Sequence, residues 1–162
     1  MAAGREVLRL TKQYVKRRQS FAVETTLSGK SYLLLMRYAR EISRGFEVVL
    51  IYIGTESVEI NLVRISERVR VGGHSVPEND VRRRYLRSFE NLPIAAKHAH
   101  HVLLFDNSTV EGYRLVVIFL LPTTNGFLRY HRGSLNSKRL FLSGAFRAQP
   151  RTFTFAFLHL EI

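Results

Sequence analysis

The segment from Ser20 to Ser31 contains residues whose types and spacing could bind phosphate. It reads Ser-Phe-Ala-Val-Glu-Thr-Thr-Leu-Ser-Gly-Lys-Ser, and Gly29-Lys30-Ser31 matches the second half of the phosphate-binding loop Gly-x4-Gly-Lys-Ser/Thr. Glu24 stands where that loop has its first glycine. A carboxylate there would repel phosphate oxygens, and it lacks the freedom of glycine to adopt a positive φ. The segment therefore does not predict a phosphate loop of its own.

Arginines form the second candidate group for binding phosphate. Arg70 shortly precedes Gly72-Gly73, a hinge-like place from which a guanidinium could fold over a phosphate, and Arg82, Arg83 and Arg84 belong to the next predicted helix. At about 100° per residue, Arg82 and Arg84 flank the apolar stripe of that helix and Arg83 points away from it. The planar guanidinium matches phosphate oxygens and stays protonated. A solvated basic helix face is the alternative.

The hydrophobic pattern predicts an α/β fold with a mostly parallel sheet, in which strands and helices alternate. We expect helices over residues 4–18, from 31 to the stop at Gly45, from the turn Gly54-Thr55 to the stop at Gly72-Gly73, and from 74 onward through Leu92. We expect strands over residues 21–23, 46–53, 101–105 and 113–119. The run 46–53 is almost wholly apolar, which is typical of a buried parallel strand.

Helical spacing also predicts which side chains face the core. The expected core faces, in chain order, are Val7, Thr11, Tyr14 and Val15; Leu34, Tyr38 and Ile42; Val58, Leu62, Ile65 and Val69; and Val81, Tyr85, Phe89 and Leu92.

Composition excludes several classes of protein. The 162 residues include no cysteine, so disulfides, thiolate catalysis and cysteine-bound metal are excluded. No apolar run approaches the roughly 20 residues of a membrane helix, and no signal-peptide pattern begins the chain, so a cytoplasmic protein is expected. The net charge of +12 fits a partner that carries phosphate. No zinc-finger or ribonucleoprotein motif supports nucleic-acid recognition, and we predict no metal site.

Three segments together resemble the zeta-toxin-like P-loop kinases. Residues 21–29 resemble the strand and loop that follow their first helical section, and residues 64–77, continuing to Tyr85, resemble their arginine-bearing lid. Leu104-Phe105-Asp106-Asn107-Ser108 resembles the strand end that comes next. The resemblance covers roughly residues 3 to 118. It is strongest to the chromosomal branch of the family, whose members are described only as predicted ATPases or kinases.

The resemblance implies a P-loop-NTPase-like fold and a phosphotransferase that uses ATP and Mg²⁺. Zeta toxins proper transfer the γ-phosphate of ATP to a hydroxyl of UDP-N-acetylglucosamine, and an antitoxin-like protein is a further partner that the resemblance suggests. Glu24, Thr25 and Thr26 match the position where substrate hydroxyls are held, although Glu24 could instead cap the following helix. Arg70 and residues 82–84 match the lid that contacts ATP phosphates.

The chain also departs from that family. Its members begin with a strand, a complete glycine-rich loop and an aspartate that serves as base, and none of these precedes Gly4. We therefore expect residues 1–118 to be a partial kinase domain without a catalytic residue, and the chain to be inactive or nearly so. The β-prone residues 119–162 are expected to form an appended hairpin or to be foreign to the fold. The alternatives are a non-catalytic basic protein that binds RNA or an acidic partner, and a decayed gene product.

Overall fold

The computed structural model describes residues 2–42, 47–120 and 152–157. Four helices and four strands lie within these ranges. In chain order they are α1 (Ala2–Lys16), α2 (Lys30–Ile42), β1 (Glu47–Gly54), α3 (Val58–Arg70), α4 (Glu78–His98), β2 (His101–Asp106), β3 (Arg114–Leu120) and β4 (Thr152–Phe157).

The strands form one mixed sheet in the order β3-β2-β1-β4. β1 is parallel to β2, with Gly54 opposite Asp106 at the carboxyl ends of the two strands, and β1 is also parallel to β4. β3 is antiparallel to β2. The connection between these two strands is too short for the crossover that a parallel pair would need. The predicted α/β class is therefore confirmed, and the sheet is mixed, with two parallel pairings and one antiparallel pairing among the described strands.

Both faces of β1 are buried. Val48, Leu50 and Tyr52 belong to a core cluster with residues of α1, α2, α4 and β2, whereas Val49 and Ile53 belong to a second cluster with residues of β2 and β3. A strand that is covered on both faces has no polar alternation, and this explains its apolar run. The predicted parallel strand is confirmed over residues 47–53, and Phe46 lies outside the described residues.

The strand predicted over residues 21–23 is wrong, because these residues have no regular structure. A three-residue segment becomes a strand only when it can hydrogen-bond along the edge of another strand. β2 pairs with one edge of β1 and β4 pairs with the other. The segment packs instead through side chains, with Val23 and Leu27 buried in the core cluster.

The predicted core face of α2 is also wrong. Leu35, Met36 and Ala39 are buried, whereas Leu34 and Tyr38 are 57% and 37% exposed. The side chain of Ile42 lies outside the described residues. The sequence 32–36 is apolar on every side of the helix, so spacing alone could not select a face. The buried face contains Ala39, whose small side chain lets α2 approach its neighbours closely.

The other three helix faces are confirmed in part. In α1, Thr11 and Val15 are buried, but Val7 and Tyr14 are exposed. In α3, Ile65 is buried while Val69 is exposed, and in α4 Val81 is buried while Phe89 is exposed. Polar residues complete the buried face of α4, namely Ser88 and Asn91.

Beyond residue 120 the structure describes the chain only at β4. This strand falls within the tail for which a hairpin was expected, and its pairing with β1 joins residues far apart in the sequence. The remainder of residues 121–162 lies outside the described ranges. None of the helices in the described part of the chain has the length and apolar content that a bilayer crossing requires.

Candidate functional site

α4 runs along the sheet in the direction opposite to β1. Ser88 Oγ donates a hydrogen bond to Tyr52 Oη (3.2 Å), and Tyr85 Oη donates one to the carbonyl oxygen of Thr55 (2.9 Å). The first half of α4 therefore lies at the carboxyl end of β1. In open α/β sheets this edge is where ligands bind.

A buried hydrogen bond attaches the segment 24–28 to the middle of α4. Asn91 Nδ2 donates to the carbonyl oxygen of Leu27 at 2.7 Å, across 64 residues of chain. Leu27 is only 1% exposed and has a φ of +54°, the left-handed region. A leucine in that region costs about 1 to 3 kcal/mol and persists only where the surroundings enforce it. Burial of Leu27 and its bond to Asn91 supply that enforcement.

The three predicted substrate-binding residues belong to this segment. Thr25 Oγ1 accepts a hydrogen bond from the backbone N–H of Leu27 (3.3 Å), and Thr26 Oγ1 hydrogen-bonds Ser28 Oγ (2.8 Å). Glu24 is exposed. α2 begins only at Lys30, six residues further on, which is beyond the one turn over which a capping side chain acts. This spacing does not fit the alternative that Glu24 caps α2, and it leaves a carboxylate that can accept a hydrogen bond from a hydroxyl.

Two of the α4 arginines are engaged by carboxylates. Arg82 bridges the two helices, with Nη1 2.9 Å from Glu59 of α3 and Nη2 2.8 Å from Glu78 of α4. The hydrogen bond from Arg82 lowers the pKa of Glu59 and the same bond raises the pKa of Arg82. Arg83 pairs with Asp80 at 2.7 Å.

Arg84 has a different environment. It is partly buried, as the helical geometry predicted, and it forms no salt bridge with any carboxylate in the described ranges. Among the three neighbouring arginines of α4, its guanidinium is therefore the one that needs no carboxylate displaced before it can bind an anion.

Arg70 lies at the opposite end of α3 from Glu59, the partner of Arg82. It is the last residue of α3, and eleven residues of helix, about 16 Å, separate it from Glu59, where Arg82 is bound. Gly72 has a φ of +90°, and the N–H of Gly73 donates to the carbonyl oxygen of Arg68 at 2.9 Å. A Cβ on Gly73 would lie 2.5 Å from Arg68 Cγ. The double glycine thus closes the end of α3 against Arg68, which gives it a structural role besides the predicted hinge.

Asn61 is a buried polar residue that the sequence analysis missed. It is the fourth residue of α3, the helix that follows β1, and is 2% exposed. Neither polar atom of its amide has a hydrogen-bond partner among the described residues. Buried amides are normally paired, so an unpaired one is notable. The sequence contained a signal for this burial, because Asn61 shares a helical face with Val58, Leu62 and Ile65 of the predicted apolar stripe.

The acidic residue at the end of β2 has a structural role. The Asp106 carboxylate accepts hydrogen bonds from the N–H (2.9 Å) and Oγ (2.5 Å) of Ser108 and from Arg114 Nη2 (2.8 Å). The Ser108 hydroxyl, followed by Arg114, lowers the pKa of Asp106. These bonds fix the turn that follows β2. Across residues 2–42, 47–120 and 152–157, no three acidic or histidine side chains are grouped as metal ligands.

Comparison with known proteins finds a relative that matches part of the chain. The chain is 46% identical over 83 residues to an uncharacterized protein of Haemophilus influenzae; the match covers 51% of this chain and 58% of that protein. The chain thus spans little more than half the length of this relative. No family model matches the chain, and no solved structure matches it.

Proposed function

We propose that this chain carries the substrate-binding loop and the arginine-bearing helix of a zeta-toxin-like phosphotransferase, on a P-loop-NTPase-like sheet. One observation supports this proposal above the others. The bond from Asn91 to Leu27 attaches the loop 24–28 to the same helix that carries residues 82–84. Arg82 and Asn91 are nine residues apart, about 13 Å along α4. An extended phosphorylated substrate of that length could contact the loop and the arginines together.

The proposed roles follow from the chemistry of each group. The Glu24 carboxylate accepts a hydrogen bond from a substrate hydroxyl, and the hydroxyls of Thr25 and Thr26 shape the turn that presents it. Arg84 binds phosphate directly. Arg82 and Arg83 can exchange their carboxylates for phosphate, because their ion pairs are largely exposed and pairs of that kind contribute little stability.

The residues present do not fit Mg²⁺-bound ATP. The sequence contains no complete Gly-x4-Gly-Lys-Ser/Thr motif, and Gly29-Lys30-Ser31 follows Glu24 instead of a first glycine. Phosphoryl transfer depends on positioning and charge neutralisation by that cradle and its metal. The proposal therefore assigns substrate binding to the chain and derives no transfer step from it.

The proposal is tested by ligand-observed NMR with UDP-N-acetylglucosamine. Glu24→Gln and Arg84→Ala should each raise the dissociation constant about fivefold or more, as expected for one lost charge-assisted hydrogen bond. The matched controls are Glu111→Gln, in the exposed turn after β2, and Arg87→Ala, on the exposed face of α4. Equal effects of the site and control variants, or no binding by the unaltered chain, would refute the proposal.

A further inference from the structure

A cleft lies between α1 and α2, and none of its lining residues belongs to the proposed substrate site. It has a volume of about 480 Å³, within the range of ligand-binding clefts. One row of α1 forms one wall, since Leu8, Lys12 and Lys16 are spaced four residues apart. The other wall is α2, which contributes Ser31, Leu34, Leu35, Arg37, Tyr38 and Glu41.

The floor and rim of this cleft differ in chemistry. Leu34 and Tyr38 are 57% and 37% exposed on the face of α2 that the sequence predicted to be buried. Basic side chains surround them. Lys12 and Lys16 are exposed and form no salt bridge within the described ranges, and Arg37 is only 3.5 Å from Glu41 in a pair that is more than half exposed. The cleft therefore combines uncovered apolar surface with a surplus of positive charge.

We propose that the α1–α2 cleft binds an acidic amphipathic helix of a partner protein. Leu8 and Lys16 are eight residues apart, about 12 Å along α1, so the cleft matches about two turns of a bound helix. Apolar side chains of that helix, spaced three and four residues apart, cover Leu34 and Tyr38, as in other helix-in-groove complexes. Its flanking carboxylates pair with Lys12, Lys16 and Arg37, which supplies orientation and faster association.

The shape and lining of the cleft favour this occupant over other anions. A membrane surface receives a protruding apolar helix face, whereas Leu34 lies within a cleft. Single-stranded RNA needs exposed aromatic rings for stacking, and the cleft offers one, Tyr38, beside aliphatic side chains.

The experiment uses the full chain and two labelled peptides measured by fluorescence anisotropy. The first peptide, about 18 residues long, carries leucine at positions i, i+3, i+4 and i+7 of each repeat and glutamate beside them. The second has the same composition without that periodicity. We expect the periodic peptide to bind about tenfold more tightly. Lys12→Glu and Lys16→Glu should each weaken its binding about tenfold, and Leu34→Ser should weaken it several-fold.

Arg87→Glu on α4 is the matched control, and it should change the affinity less than twofold, as a distant charge does. Circular dichroism melting of every variant verifies folding, and Leu34→Ser tests the cleft without a charge change. The proposal is overturned if both peptides bind equally, if Arg87→Glu acts like the cleft variants, or if phosphatidylserine vesicles or polyuridylate bind with the same dependence on Leu34. These results do not depend on UDP-N-acetylglucosamine binding, so the two proposals fail separately.

Discussion

Asn91 and Leu27 lie 64 positions apart, and the side-chain amide of Asn91 donates a buried hydrogen bond of 2.7 Å to the carbonyl oxygen of Leu27. The bond fixes a loop without regular structure to α4, the longest helix in the described part of the chain. It also provides a hydrogen-bond donor for the Leu27 carbonyl oxygen, which belongs to no strand or helix. The geometry of the candidate substrate loop therefore depends on a residue of α4.

Replacing Asn91 by alanine should lower the free energy of unfolding by about 1 to 3 kcal/mol, because the Leu27 carbonyl group then stays buried without a partner. Chemical denaturation followed by circular dichroism measures this change. Asn79→Ala, on the exposed first turn of α4, is the control and should cost less than about 0.5 kcal/mol. A loss at Asn91 no larger than at Asn79 would show that the bond does not stabilise the loop.

The left-handed conformation of Leu27 predicts an unusual ranking of two substitutions. Leu27→Ala should destabilise the protein by about 2 to 5 kcal/mol, because a fully buried side chain is lost. Leu27→Gly should be no worse than Leu27→Ala, since glycine adopts a φ of +54° without strain. Ala39→Gly, on the buried face of α2, is the control. There the change from alanine to glycine should lower the free energy of unfolding by about 1 kcal/mol, since the helix gains nothing from glycine. A Leu27→Gly protein clearly less stable than Leu27→Ala would argue against the left-handed geometry.

His100 should make stability depend on pH. The Val48 N–H donates to His100 Nδ1 at 2.9 Å, which requires an unprotonated Nδ1. Burial, and then the charge of Arg40, holds the pKa of His100 below its ordinary value of 6.5. As the pH falls, the unfolded chain therefore binds the proton at a higher pH than the folded chain does. The contribution of His100 is complete above about pH 6.5 and is lost as the pH falls through the lower folded pKa.

Urea denaturation at about pH 8 and pH 5 measures this dependence. His100→Asn keeps an acceptor near Nδ1 but cannot titrate, so it should lose less stability on acidification than the unaltered protein. An equal loss in both proteins would assign the pH dependence to other groups, of which His98, with a pKa also lowered by burial, is the first to examine.

Radiolabelled ATP should show no transfer above background to UDP-N-acetylglucosamine or to water. The reason is the absence from the sequence of a complete phosphate-binding loop. The control is the same preparation with Glu24→Ala, which should give the same background counts. Activity that is well above background in the unaltered chain and is lost in Glu24→Ala would disprove the predicted inactivity.

An element could be predicted from the sequence where one strong local pattern determined it. The apolar run of β1 and the glycine stop after α3 each have a single structural solution, and the structure agrees with both. The face of α2 was not predictable because Leu34 and Leu35 are equally apolar. Tertiary packing selected the face that includes Ala39.

The candidate site likewise combines residues that the sequence could identify with contacts that only the packing reveals. Motif resemblance selected the consecutive residues Glu24, Thr25 and Thr26, and the structure adds that Thr25 and Thr26 hydrogen-bond within the loop 24–28. The ion pair of Arg82 with Glu59, at the opposite end of α3 from Arg70, could not be derived from the sequence, because it depends on how α3 and α4 pack. The role of Asn91 was hidden for the same reason, since its partner Leu27 lies at the other end of a long stretch of chain.

The most direct measurement of the central claim is the change in backbone amide chemical shifts of the ¹⁵N-labelled chain on addition of UDP-N-acetylglucosamine. The account predicts that the largest changes fall in residues 24–28 and in the α4 residues 82–84, with little change at Lys12 and Lys16. The account would be contradicted by a spectrum that does not change, or by changes confined to the α1–α2 cleft.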